Sequence, residues 1–232
     1  MRQCHPSNAC TGANKKVLRI TGEQPVEDII VKAKARQYTS IHLIGEEPFL
    51  YCRFMDIIEK LSDYKTCVTT NGCKLDDVDM IRSIAPALSA LNLRMGFYSV
   101  TGNAEVTGIK LNMAKVRESI IVLNSFGVRT RIEAVLLKGH LDNLADCTTM
   151  AHFAASLKAH SIRFCELNDP AKLPDLYVDA TEAFPELNGA EPYFGGCNRE
   201  IKLTDKIACM VKMSCGMINP FRTKPEIAPV LA

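Results

Sequence analysis

The strongest constraint on this chain is a regular alternation of short apolar runs with amphipathic stretches. SIHLIG (40–45), CVTTNG (67–72), ALNLRMGFY (90–98), VRTRIEAVLLKG (128–139) and SIRFCEL (161–167) read as strands. Between them, 25–36, 54–64, 75–86, 115–127 and 143–160 place apolar residues at helical spacing. Pro25 opens the first of these, and Gly127 stands at the C-terminal cap of the fourth. Strand and helix in strict succession predict parallel pairing with crossover helices, an α/β chain. Five or six such units build a partial (β/α) barrel with functional groups at the C-terminal strand ends. That arrangement predicts a rim carrying Glu46, Glu47, Asn71, Arg94, Glu133 and Glu166.

After Pro170 the pattern changes. Residues 169–196 are rich in proline and acidic residues and read as a connector. The runs 199–204 and 207–213 flank a Thr204-Asp205-Lys206 turn and read as a β-hairpin, followed by a proline-punctuated tail. The expected organisation is a barrel over 1–170 and a connector, cysteine-bearing hairpin and tail over 171–232. At 232 residues, 47% apolar and 23% charged, the chain is long enough for a full core. A net charge of +2 gives no indication of a nucleic-acid partner. With no membrane-spanning run and no apolar leader, a cytoplasmic protein is expected. Ten cysteines are then a surplus, pointing to metal, iron–sulfur or redox use. Cys67 and Cys165 sit inside strand-like runs and read as core packing.

The order IHLIGEEPFL, CVTTNG, the 91–98 strand, the 106–139 stretch and SIRFCEL resembles the radical S-adenosylmethionine (SAM) core. It is most similar to the GTP 3′,8-cyclase type of molybdenum cofactor biosynthesis, over about residues 17–167. The resemblance implies a SAM- or nucleotide-binding barrel with a [4Fe-4S] cluster. It implies that Gly45, Glu46, Glu47 and Pro48 occupy the family's Gly-Gly-Glu-Pro turn, which holds the SAM amino group. Glu46 replaces an inner glycine there. Arg94 and Gly96 stand where relatives carry a hydroxyl and a carboxylate, and Glu133 where an Asn is common.

The family's CxxxCxxC motif is absent. Starting from Cys4, the next positions are Asn8 and Thr11, and no register through Cys10 supplies three thiolates. The cluster loop is decayed, deleted before KVLRIT (16–21), or replaced by ligands from elsewhere. Cys197, Cys209 and Cys215, spaced C-x11-C-x5-C around the hairpin, resemble the auxiliary-cluster region of the family. They can ligate iron or, with a fourth ligand, zinc, or they can simply pack beneath the hairpin. His140, at a predicted strand end, reads as a loop residue. Besides a zinc- or cluster-binding redox module in which only the hairpin cysteines matter, two functions stay open. One is a divergent enzyme with atypical cluster ligands. The other is a catalytically silent barrel serving as partner or scaffold to an intact radical SAM protein.

Overall fold

Each strand alternates apolar and polar residues, so its two faces meet different surroundings. In the computed structural model, which describes residues 26–35, 37, 39–167, 174–187 and 198–213, that alternation sorts cleanly. The strands are β1 (Ser40–Leu43), β2 (Lys65–Thr70), β3 (Ala90–Met95), β4 (Arg129–Val135), β5 (Ser161–Cys165), β6 (Asn198–Ile201) and β7 (Ala208–Lys212). They form one seven-stranded sheet in the order β1-β2-β3-β4-β5-β7-β6. Every neighbouring pair is parallel except β6–β7. The expected strand KVLRIT lies outside the described residues.

The helices are α1 (Val26–Ala35), α2 (Phe54–Lys60), α3 (Val78–Ile84), α4 (Val100–Thr107), α5 (Met113–Ser125), α6 (Leu144–Ser156) and α7 (Ala180–Ala183). Their starts follow from side-chain oxygens that accept otherwise unpaired backbone N–H groups. Asp77, Ser99, Asn112 and Asn143 do this for α3, α4, α5 and α6. Gly108 ends α4 at φ 73°, a left-handed conformation that favours glycine.

Val68, Leu91, Leu93, Ile132, Ala134, Ile162, Phe164 and Val211 form one buried face of the sheet, packed on the helices. A smaller cluster of Ala33, Ile41, Ile57 and Leu61 lies under α1 and α2. The opposite face carries His42, Cys67, Thr69, Asn92, Arg94, Arg131, Glu133, Arg163, Cys165 and Lys212. Parallel sheets are ordinarily covered by apolar layers on both faces. Here one face is polar, which is the concave face of a partial barrel.

The C-terminal part of the chain joins the main core and the sheet. The stretch after Pro170 does more than connect: Val178, Ala180, Ala183, Phe184 and Leu187 are buried in the main core. The Phe184 ring lies 5.3 Å from that of Phe164. The hairpin is continuous with the sheet, because β7 pairs in parallel with β5 through Ser161↔Ala208 to Cys165↔Lys212. Cys67 and Cys165, expected in the core, lie half-buried on the polar face.

Candidate functional site on the concave face

The C-terminal rim is organised by Glu47. Pro48–Leu50 form a short 3₁₀ turn, and Glu47 caps it by accepting from the Phe49 N–H at 3.0 Å. The same carboxylate reaches the end of β2. It accepts from the Asn71 N–H at 2.7 Å and from the Thr70 hydroxyl, which lies 2.9 and 2.8 Å from its two oxygens. Such charge-assisted bonds are the strong kind, so Glu47 locks the β1 turn to the β2 turn. Its oxygens are turned into the protein. Thr70 in turn accepts from the Gly72 N–H at 3.0 Å, and Asn71 from the Cys73 N–H at 3.0 Å.

Of the rest of the Gly45–Pro48 turn, Gly45 and Glu46 are exposed and Pro48 is half-buried. A Cβ on Gly45 would meet nothing within 4 Å. The Arg94 guanidinium donates to the Gly45 carbonyl at 3.5 Å, spanning from β3 to the rim. A cation therefore already sits against a carbonyl of the turn that the resemblance assigns to an ammonium group.

Register brings Arg94, Glu133 and Arg163 side by side across β3, β4 and β5. Neighbouring strands stand about 4.8 Å apart, so these side chains form one row. Arg163 donates through Nη2 to Glu133 Oε1, an ion pair that is mostly buried, with side chains 19% and 14% exposed. Burial on its own would lower the Arg163 pKa, but the Glu133 charge, Cys165 and the bond to Glu133 outweigh it, and the guanidinium is held above its usual value. The Arg163 Nε is buried and has no hydrogen-bond partner among the described residues. One position back, Arg131 donates to Ser161 Oγ at 3.2 Å. Burial, followed by the like charge of Arg163, lowers the Arg131 pKa.

Beside this ionic row runs a neutral one. Thr69 Oγ1 lies 2.7 Å from His42 Nε2 and accepts from Asn92 Nδ2 at 3.2 Å. Asn92 also approaches Cys67 Sγ at 3.6 Å. Burial lowers the His42 pKa and pushes the Cys67 thiol up to about 11. Both groups are neutral near pH 7.

Gly96, where the resemblance implies a carboxylate, is buried under α4. An added Cβ would stand 2.4 Å from Val106 Cβ. Its N–H donates at 2.8 Å to the buried Asn103 amide, whose own donors go to Thr107 Oγ1 and the Ile109 carbonyl. Gly96 is thus the residue that lets α4 close on the sheet.

Glu166 is not on the open rim as expected. It is 3% exposed and accepts from the Ala180 N–H at 2.7 Å, anchoring α7. Arg94, Glu133, Glu47 and Asn71 do gather at the C-terminal half of the sheet. His140 packs edge-on to Phe97, ring centroids 5.7 Å apart.

The residues do not fit a cluster within the described part of the chain. Cys209 points into the apolar layer, 4% exposed, its thiol raised by burial and donating to the Ile207 carbonyl at 3.5 Å. Cys197 and Cys215, like Cys4 and Cys10, lie outside the described residues. No group of three or more His, Cys, Asp or Glu side chains among the described residues is arranged to hold a metal ion.

Sequence reading missed Arg131, Arg163, His42, Thr69 and Asn92. For Arg131 the signal was available: Arg129-Thr130-Arg131-Ile132-Glu133-Ala134 alternates charge with apolar or small residues inside a parallel strand. A strand covered on both faces does not carry that pattern.

No family model matches the chain, and no curated protein does. Among solved structures it matches Streptococcus suis SuiB bound to S-adenosylmethionine, at 18% identity and TM-score 0.50, over 64% of this chain and 35% of that one. SuiB bound to precursor peptide SuiA matches at 19% identity and TM-score 0.50, over 63% and 34%. A radical SAM methyltransferase from Sphaerobacter thermophilus matches at 22% identity and TM-score 0.49, over 62% and 46%. The chain spans about a third of the length of SuiB. The fold, a partial (β/α) barrel on a mostly parallel seven-stranded sheet, is one that this chain shares with part of SuiB. No helix among the described residues is long and apolar enough to cross a membrane.

Proposed function

We propose that this chain is a divergent protein of the radical SAM type that binds a small molecule on its concave face and does not cleave SAM itself. It then acts as a ligand-holding or partner subunit for an intact enzyme of that class. The observation that carries this reading is the Arg94–Glu133–Arg163 row, built across three strands at the heart of the concave face. Long cations and a buried ion pair are costly on a sheet face unless that face meets water or a ligand.

Three further features support it. The CxxxCxxC thiolates are missing from the sequence. Glu47 is used up in joining two turns, and Arg94 already occupies the Gly45 carbonyl. Cys209 lies within the apolar layer, 4% exposed. A SAM-cleaving enzyme needs an open iron to deliver the electron, and among the described residues no three thiolates are arranged to hold one.

The test is iron and sulfide analysis of protein purified without oxygen, followed by incubation with SAM and a strong reductant. The expected result is no stoichiometric cluster and no cleavage of SAM. About four irons per chain together with reductive cleavage products would reject the proposal and restore the enzyme.

A further inference from the structure

We infer that the concave face selects a small organic anion with at least two acidic groups, a polycarboxylate or a phosphate-bearing acid, and disfavours cationic SAM. This inference rests on the reading of that face as a ligand site and adds the charge of the ligand.

The argument begins with charge balance along the rows. Arg94, Arg131, Arg163 and Lys212 share the concave face, with Glu133 among them and Glu200 on the outlying strand β6. Glu133 is committed to Arg163. Among the described residues neither Arg94 nor Arg131 has a carboxylate within ion-pair distance: their polar contacts there are the Gly45 carbonyl and the Ser161 hydroxyl. These neutral acceptors hold the guanidinium groups in place without cancelling their charge.

The second step concerns donors. The buried Arg163 Nε has no partner among the described residues. A buried unsatisfied donor is expensive unless something accepts from it. An anionic oxygen lying over β4 and β5 supplies that acceptor and also offsets the repulsion between Arg131 and Arg163. Guanidinium forks match carboxylate and phosphate oxygens in geometry as well as charge. Arg94, one strand over and exposed at the rim, is set apart from this pair, and that separation is why a second acidic group is required.

The third step is what surrounds the cations. The His42, Thr69 and Asn92 side chains flank the row on the β1 side. They offer hydrogen bonds without charge, suited to a hydroxyl or carbonyl on the same ligand. A sulfonium cation brought over β3, β4 and β5 meets Arg94, Arg131 and Arg163, and the carboxylate among them, Glu133, is already paired.

The test uses the full chain and calorimetric titration at low salt with four probes: citrate, inorganic pyrophosphate, inorganic phosphate and SAM. Citrate or pyrophosphate should bind at least ten-fold more tightly than inorganic phosphate, and whichever of the two is tighter identifies the acid type. Binding should weaken at least five-fold on raising the salt from about 50 to 300 mM. Arg131→Gln and, separately, the exposed Arg94→Gln should each weaken it about ten-fold, with far-UV circular dichroism unchanged. If the anions bind but both variants bind them like the wild type, the anion sits elsewhere and the inference is overturned. If SAM binds and the anions do not, the inference fails while the concave face stands as a ligand site. If no probe binds, both readings fall together.

Discussion

His42 shows how one residue's environment sets a measurable pH dependence. Its Nε2 lies 2.7 Å from Thr69 Oγ1, and burial, the largest influence, lowers its pKa. Glu133 pulls the other way, while Arg163 and Arg94 reinforce the lowering. The unfolded chain carries an ordinary imidazole that protonates near pH 6.5. Below that value the unfolded state takes up a proton that the folded state resists. The stability from a neutral His42 is therefore present above about pH 6.5 and lost as pH falls through the lower folded value. Urea unfolding at pH 7.5 and 5.5 should show a larger loss for the wild type than for His42→Gln. Equal losses in the two proteins would mean that His42 is not held neutral. Cys67, next to His42 in the register, is a parallel case on the alkaline side, its thiol pushed up to about 11 by burial. A thiol so protonated is a poor metal ligand at neutral pH, in keeping with its place in a hydrogen-bonded row.

At the scale of elements, the β3–α4 junction makes the sharpest demand on the sequence. Helix α4 crosses so close to the end of β3 that a Cβ on Gly96 would lie 2.4 and 2.5 Å from Val106 Cβ and Cγ1. Neither atom is the far end of a flexible side chain, so the helix itself has to shift. Overpacking of this kind costs about 1–3 kcal/mol, and a displaced α4 also strains the Gly96–Asn103 bond. Gly96→Ala should therefore lower the unfolding midpoint by several degrees. Gly45→Ala, with nothing within 4 Å of the new methyl, should leave it nearly unchanged. Indistinguishable melting curves for the two would discount the close packing of α4. The same helix marks a limit of sequence reading. Val100-Thr101-Gly102-Asn103 is β-branched and glycine-bearing, so propensity argues against a helix, and only the Ser99 cap hints at one. The strands and the longer helices were legible because their apolar periodicity is repeated and strong. The Glu47 clasp was not, since its partners Thr70 and Asn71 are distant in sequence and meet it only through parallel pairing. Arg94 and Glu133 could be read as site residues from the strand they end or occupy. Their neighbour Arg163 needed the register, which no local pattern reveals.

On the scale of the whole molecule, the hairpin covers the β5 side of the sheet. Strand β7 supplies the parallel neighbour of β5, and Ile201, Cys209 and Val211 complete the apolar layer that holds Ile162, Phe164 and Phe184. Without β7, the backbone N–H and C=O groups on that side of β5 would form an open edge beside a partly uncovered core, the arrangement that invites aggregation. The concave face would also lose Lys212 and the strand that borders Cys165 and Arg163. A protein ending at residue 197 should consequently be insoluble or lack a cooperative transition, although it keeps every strand–helix unit of the barrel. Val211→Asp in the full chain is the gentler version. It buries a charge at a fully buried position, and an unpaired buried carboxylate costs several kcal/mol. In the wild type, denaturant unfolding followed by circular dichroism and by tyrosine fluorescence should trace one coincident transition. A soluble 1–197 fragment with wild-type stability, or two separated transitions in the full chain, would instead make the hairpin an independent appendage. The distinction matters for the ligand site: if hairpin and barrel unfold as one, any molecule bound along β3, β4 and β5 stabilises both together, and its linkage should appear in that single transition.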